Sequence, residues 1–269
     1  MKKNWLILLY LITILLLVGC KDNNSSHKTI YGGELFYHNT LIRDSISRMY
    51  IPIIAPEEIE SLRIHKIVGE NVDKVNIFYE LTDLIENYKN NYIYFLILEI
   101  DDDLYRNKDI NKLTIESLEL FVNENTFEFP LYHVELKRID SHNRGMDIIF
   151  TSTPVSIPNF EGKYILDFKV NNSIIIEDIV FTSELSISGI NGTTSDKAFE
   201  ESIIKGQESQ WIITFNINDK NLTRYSLVNT DLIIKYRVVD TNETFWTTPP
   251  AYSSINDTVK NIKEYIDNQ

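Results

Sequence analysis

Hydrophobic and polar residues alternate with period two along most of this chain. Tyr94, Leu96, Leu98 and Ile100 share one phase, and the opposite phase turns polar at Glu99 and Asp101. The same pattern runs through Val75, Ile77 and Tyr79, through Leu118, Leu120 and Val122, and through Tyr164, Leu166, Phe168 and Val170. It returns at Trp211, Ile213, Phe215 and Ile217, and at Leu232, Ile234, Tyr236 and Val238. Alternation puts every second side chain on one face of a strand, so these segments read as strands with one buried face. Polar clusters divide them: Asp101-Asp102-Asp103, Asn123-Glu124-Asn125, Asn191-Gly192, Asn218 to Asn221 and Asp240-Thr241-Asn242. Many strands joined by polar turns predict a mainly β protein built of sandwiches.

Two stretches resemble each other. The strand from Tyr94 leads to Asn123-Glu124-Asn125, Thr126-Phe127 and Pro130. The strand from Trp211 leads to Asn242-Glu243, Thr244-Phe245 and Pro249, and Phe245 stands 118 residues after Phe127. That offset is about the size of one immunoglobulin-like sandwich, so the expected architecture is two such β-sandwich domains in tandem. The first spans 31–143 and the second 144–269, with the boundary in the loop-like stretch 141–146.

Helices are expected in few places. Ser254-Ile255-Asn256-Asp257 fits a capping box, and Ile255, Val259, Ile262 and Ile266 follow at helical spacing, which predicts a C-terminal amphipathic helix packed on a sheet. Weaker helical patterns cover 82–88 and 196–204. Composition agrees with a β protein: 40 Ile against 3 Ala favours strands over helical bundles.

The N-terminus follows other rules. Lys2 and Lys3 precede a run from Trp5 to Val18 in which Thr13 is the one polar residue. Fourteen residues suit a signal-peptide core and fall short of the ~20 a bilayer span needs. The run closes on Leu17-Val18-Gly19-Cys20, which resembles the lipobox of bacterial lipoproteins. The resemblance implies cleavage after residue 19, a diacylglycerol on the Cys20 thiol and acylation of the new amino group. Cys20 is the chain's one cysteine, so it has no disulfide partner within the chain. Two or three acyl chains hold a protein on a membrane where one is marginal. Residues 20–30 read as a flexible tether behind this anchor. The expected location is a lipid-anchored place in the cell envelope, at the outer membrane or cell surface or on the extracytoplasmic face of the plasma membrane.

Charge narrows the partners. Without Lys2 and Lys3 the chain has 24 basic against 39 acidic side chains, a balance of −15. Phosphate backbones need the opposite sign, so nucleic acid is not expected. The membrane is reached through lipid alone.

The search for chemistry returns few candidates. There is no GxSxG, GxxxxGK[ST], HExxH or GxGxxG sequence. His27, His38, His65, His133 and His142 are spaced too widely for the usual zinc motifs. Asp101-Asp102-Asp103 lacks a calcium-loop pattern, because Tyr105 and Arg106 occupy the positions of Asp/Asn and Gly. Glu57-Glu58 and Glu200-Glu201 are adjacent pairs, and neighbours on a strand face opposite ways. No metal, cofactor or catalytic residue is expected, and the reading is non-enzymatic. Of the aromatic residues Tyr92, Tyr94, Tyr105, Trp211, Phe245 and Trp246, the last is out of phase with Phe245 and is the one candidate for a surface ring that binds protein or glycan. A structural component of an envelope complex is the alternative role, and an envelope hydrolase ranks behind both.

Overall fold

A computed structural model describes residues 29–42, 47–138, 147–151, 163–182, 185–190, 193–194, 201–217, 227–249 and 255–269, with backbone only at 163–164, 185–186, 193–194, 215–217 and 255–257. The signal and Cys20, the 141–146 boundary, Asn191-Gly192, Asn218 to Asn221 and Ser254 lie outside the described residues.

The first half contains β1 (Phe36–Leu41), β2 (Ser47–Ala55), β3 (Leu62–Val68), β4 (Ile77–Leu81), β5 (Glu86–Tyr88), β6 (Asn91–Ile100), a short helix α1 (Asp103–Arg106), β7 (Lys112–Thr114), β8 (Ser117–Val122), β9 (Asn125–Pro130) and β10 (His133–Lys137). The second half contains β11 (Ile148–Phe150), β12 (Lys163–Val170), β13 (Ile174–Phe181), β14 (Leu185–Ile190), β15 (Thr193–Thr194), β16 (Glu201–Ile203), β17 (Glu208–Ile217), β18 (Leu227–Thr230), β19 (Leu232–Val238) and β20 (Thr244–Thr247). The helix α2 (Ile255–Asp267) closes the chain. The protein is mainly β and of the sandwich class.

Both halves repeat one strand path. In the first, β2-β6-β4 form one sheet and β3-β8-β9 the other. In the second, β12-β17-β14 and β13-β19-β20 take the same places, with β11, β15 and β16 added at sheet edges. One core joins Met49, Ile51, Leu96, Leu98, Leu118 and Leu120. The other joins Leu166, Phe168, Ile174, Trp211, Ile234 and Tyr236. The likeness extends to irregularities. β3 bulges between Ile64 and Lys66 against β8, and β13 bulges between Ile176 and Asp178 against β19. The two sites are 112 residues apart, and each extra residue sharpens the local twist of its strand.

Tight turns set the registers. Asn123 (φ 44°) and Glu124 (φ 69°) close the β8–β9 hairpin, and Lys89 (φ 51°) and Asn90 (φ 63°) close β5–β6. Positive φ at both central residues belongs to the type I′ turn, whose twist matches paired strands. That second turn corrects the helical reading of 82–88. Glu86–Tyr88 pairs with β6, Leu84 and Ile85 are exposed, and a one- or two-turn helix without a buried face cannot compete with a strand ladder. The helical pattern at 196–204 is corrected likewise over Glu201–Ile203, which is strand β16; 195–200 lie outside the described residues.

The helix α2 packs on the first half, although it follows β20 of the second. Ile262 is fully buried against Ile54, Ile93 and Phe95, with Val259, Tyr265 and Ile266 around it. Strand β6 is thereby buried on both faces. Its even-numbered residues from Tyr94 to Ile100 line the first core, while Ile93 and Phe95 lie under the helix. Lys263 pairs with Glu86 at 2.7 Å, and Asp267 accepts from Lys89 and from the Tyr88 hydroxyl at 2.8 Å each.

A further sheet, in the order β18-β1-β10-β7, joins the halves. β1 runs parallel to β10 of the first half and to β18 of the second. Gly33 lets its lead-in approach closely: a Cβ there would sit 2.2 Å from the Pro130 carbonyl oxygen.

Two outcomes follow. Truncating Ile262 to Ala empties a fully buried site and lowers unfolding free energy by roughly 2–4 kcal/mol, read from urea titration. A protease site inserted within 139–146 and cut yields fragments that co-elute in native buffer and part only in denaturant, because β18 stays laddered to β1 and α2 stays on β6.

Candidate functional site

The densest polar cluster surrounds β1. His38, Asn39 and Thr40 are all buried, which is unusual for three consecutive polar residues. Burial of such groups is tolerated only with hydrogen-bond partners, and both halves supply them. The Asn229 amide nitrogen lies 3.0 Å from His38 Nδ1, and Thr40 Oγ1 lies 2.9 Å from Nε2. The amide nitrogen can only donate, so Nδ1 accepts, Nε2 carries the proton and the ring is neutral. The Phe36 ring stacks beside it at 5.8 Å. Burial, aided by the charge of His133, pushes the His38 pKa down to about 3.

The backbone of β1 also meets the second half. The Asp231 carboxylate accepts the Leu41 N–H at 2.7 Å. Thr182 Oγ1 donates to the Asn39 carbonyl, lies 2.9 Å from Thr230 Oγ1, and accepts the Asp231 N–H at 3.0 Å. Lys137 Nζ reaches across to the Thr182 carbonyl at 2.9 Å. Asn39 Nδ2 stands 3.3 Å from His133 Nε2, and the His133 ring stacks on Tyr37 at 4.8 Å. These contacts tie neutral and charged partners from both halves to one short strand. Together they hold β1 between the two halves.

Trp246 sits on the outer face of the second half's β13-β19-β20 sheet and is half-buried, while Phe245 points into the core. Lys235 Nζ stands 5.8 Å from the Trp246 ring centroid. Beside them Glu177, the bulge residue of β13, pairs with Arg237 at 2.9 Å and Lys235 at 3.5 Å. The Arg237 hydrogen bond is the chief reason the Glu177 carboxyl titrates below its ordinary range. Here a ring, two cations and a carboxylate share one sheet face.

The remaining aromatic candidates do not join Trp246. Tyr94 is in the first core, where its hydroxyl accepts the Ile59 N–H at 3.0 Å. Trp211 is in the second core, edge-on to Phe168 at 4.7 Å. Tyr92 is half-buried, and Tyr105 is exposed beneath the Arg138 guanidinium at 5.9 Å.

Asp101, Asp102 and Asp103 do come together, with carboxylate oxygens within 4.8 Å of one another. Each already has a task. Asp101 accepts the Asp102 N–H at 2.6 Å, Asp102 pairs with Arg106, and Asp103 accepts from Asn76 at 3.2 Å. A side-chain hydrogen bond between its carboxyl and that of Asp101 raises the Asp102 pKa. The run therefore leads into α1 without a side-chain cap. His65 is exposed, 3.9 Å from Glu119, while Cys20, His27, His142 and Glu200 lie outside the described residues. Along α2 runs an open groove of about 530 Å³ lined by Ile85, Val259 and the Lys263–Glu86 pair.

Sequence reasoning missed the cluster around β1. Phe-Tyr-His-Asn-Thr-Leu has neither period, and the one available signal was a β-compatible run carrying polar residues between two aromatic ones and an aliphatic end. The chain matches no protein-family model, and no curated protein sequence matches it.

His38 has a measurable signature. Its folded pKa lies below the unfolded value near 6.5, so below that pH the unfolded chain takes up a proton the folded chain refuses. Stability contributed by the neutral ring is complete above about pH 6.5 and falls by up to about 1.4 kcal/mol per pH unit toward pH 3. His38→Asn, compared with the parent by urea titration from pH 7 to 4, gives a shallower decline by about one proton's slope.

Proposed function

We propose that this protein is an exported lipoprotein, fastened to a membrane through a diacylated Cys20, with a non-enzymatic binding role in the cell envelope or at the cell surface. The observation that carries the reading is Leu17-Val18-Gly19-Cys20 at the end of an apolar run of signal-peptide length behind Lys2 and Lys3. The position of the folded part supports it. Residues 20–30 are polar and read as a tether, and the first strand, β1, starts beyond them at Phe36. The acidic chain gains nothing from anionic headgroups, and acyl chains supply the membrane affinity. The partner class is a protein or a glycan. The outward face with Trp246, Lys235, Glu177 and Arg237 offers a flat ring and charged hydrogen-bonding groups together, which suits either.

One observation favours a second reading, a component of an envelope assembly. Ile149, Ile165 and Ile212 share one outer sheet face in the second half and are exposed. Ile212 lies 117 residues after Phe95, whose face in the first half is covered by α2. A bare apolar face where its counterpart is covered fits a protein neighbour.

Metabolic labelling with palmitate tests the anchor. The parent protein takes up label, and Cys20→Ala abolishes it and releases the protein from membranes. Persistent label on Cys20→Ala overturns the reading. Protease shaving of intact cells then separates surface display, where the protein is degraded, from a sheltered face, where it survives.

A further inference from the structure

Among the described strands, β1 alone is laddered to both halves. Its residues 37–41 pair with 133–137 of β10, and its residues 36–39 pair with 227–230 of β18. Its lead-in also holds the helix. Glu34 accepts from the Tyr265 hydroxyl at 3.0 Å, the Tyr31 and Tyr265 rings lie 6.4 Å apart, and Tyr31 bridges to Ile54 of β2. The segment from Ile30 to Ile42 thus touches every large part of the fold. We propose that it is a mechanical latch, which carries tension applied at the N-terminus into both halves.

The topology sets how load is shared. β1 is pulled from its N-terminal end, and its neighbours are parallel, so β10 and β18 continue into the second half from their C-terminal ends. Load drawn between the N-terminus and the second half therefore runs along the strands and across all rungs of both ladders together. Rungs loaded together resist far more than rungs opened singly. The polar core of β1 adds a sharp threshold. Withdrawal takes a hydrogen-bond partner from Asn229, Thr182 and Asp231 at once, and losing partners of buried polar groups is costly. Sliding by one residue is no escape, because it turns His38 and Thr40 toward the opposite face. The biological source of tension rests on the anchor reading above, while the latch itself is a property of the folded chain.

Single-molecule pulling on the full chain, purified in detergent with handles at Ser25 and at Thr241 in the exposed β19–β20 turn, tests this. The expected first event releases about 13 residues, roughly 45 Å of contour, with both sandwiches still folded. At constant force Asp231→Ala speeds that event about tenfold, because a hydrogen bond to a charged acceptor is lost. Asn229→Ala acts in the same direction and serves if the first variant does not fold. A disulfide between Phe36→Cys and Leu227→Cys, which are ladder partners, removes the early event. The latch is overturned if a sandwich unfolds first, or if these variants leave the first event unchanged. Mass measurement of the N-terminal peptide from the same preparation reports acylation separately. An unmodified Cys20 with a working latch removes the anchor reading alone, and an acylated Cys20 without the early event removes the latch alone.

Discussion

A strand whose centre is His-Asn-Thr is stable inside a protein only when most of its polar atoms find partners, and here all but the Asn39 Oδ1 side-chain oxygen do, a requirement that organises the molecule. β1 could have met it within the first half alone. Instead Asn229, Thr182 and Asp231 come from the second half, so the halves are joined by the hydrogen-bond needs of a strand that belongs by sequence to the first. Apolar contact at this seam is modest: Leu227 touches one core and Val228 the other. The seam is thus specific in register, since polar partners fix position where greasy surfaces would slide.

The repeat explains much of the rest. Two sandwiches with the same path, and with a bulge at the same place in β3 and β13, present equivalent outer faces to different surroundings. In the first half the β2-β6 face is overlaid by α2, and it carries Pro52, Ile54, Ile93 and Phe95. In the second, the matching ladder carries Ile165 and Ile212 but then Asp167 and Gln210, and it stays open. One architecture thus carries two different outer surfaces.

Strands that bury one face were legible from the sequence. Tyr94 to Ile100, Leu118 to Val122 and Leu232 to Val238 sit in the cores as their alternation required, and the apolar stripe of α2 faces the sheet it covers. The phase argument also separated Phe245 from Trp246. Three things were hidden. The apolar residues Ile93 and Phe95 on the second face of β6 reflect a helix some 165 residues away, which no local pattern reveals. The pairing of 86–88 with β6 depends on Lys89 and Asn90 adopting positive φ, and Lys-Asn is a weaker turn signal than Asn-Gly. β1 has no periodicity because its partners lie on both sides and on both faces. The polar site was invisible for the same reason, since its members come from positions 38, 182, 229 and 231.

The contact between Tyr31 and Tyr265 has a geometric consequence. Tyr31 leads into β1 and Tyr265 lies in the last turn of α2, so the first and last elements of the described fold meet. The fold is close to a closed ring in sequence space. A short linker would join its ends, and new termini could be opened at a distant hairpin without crossing either core.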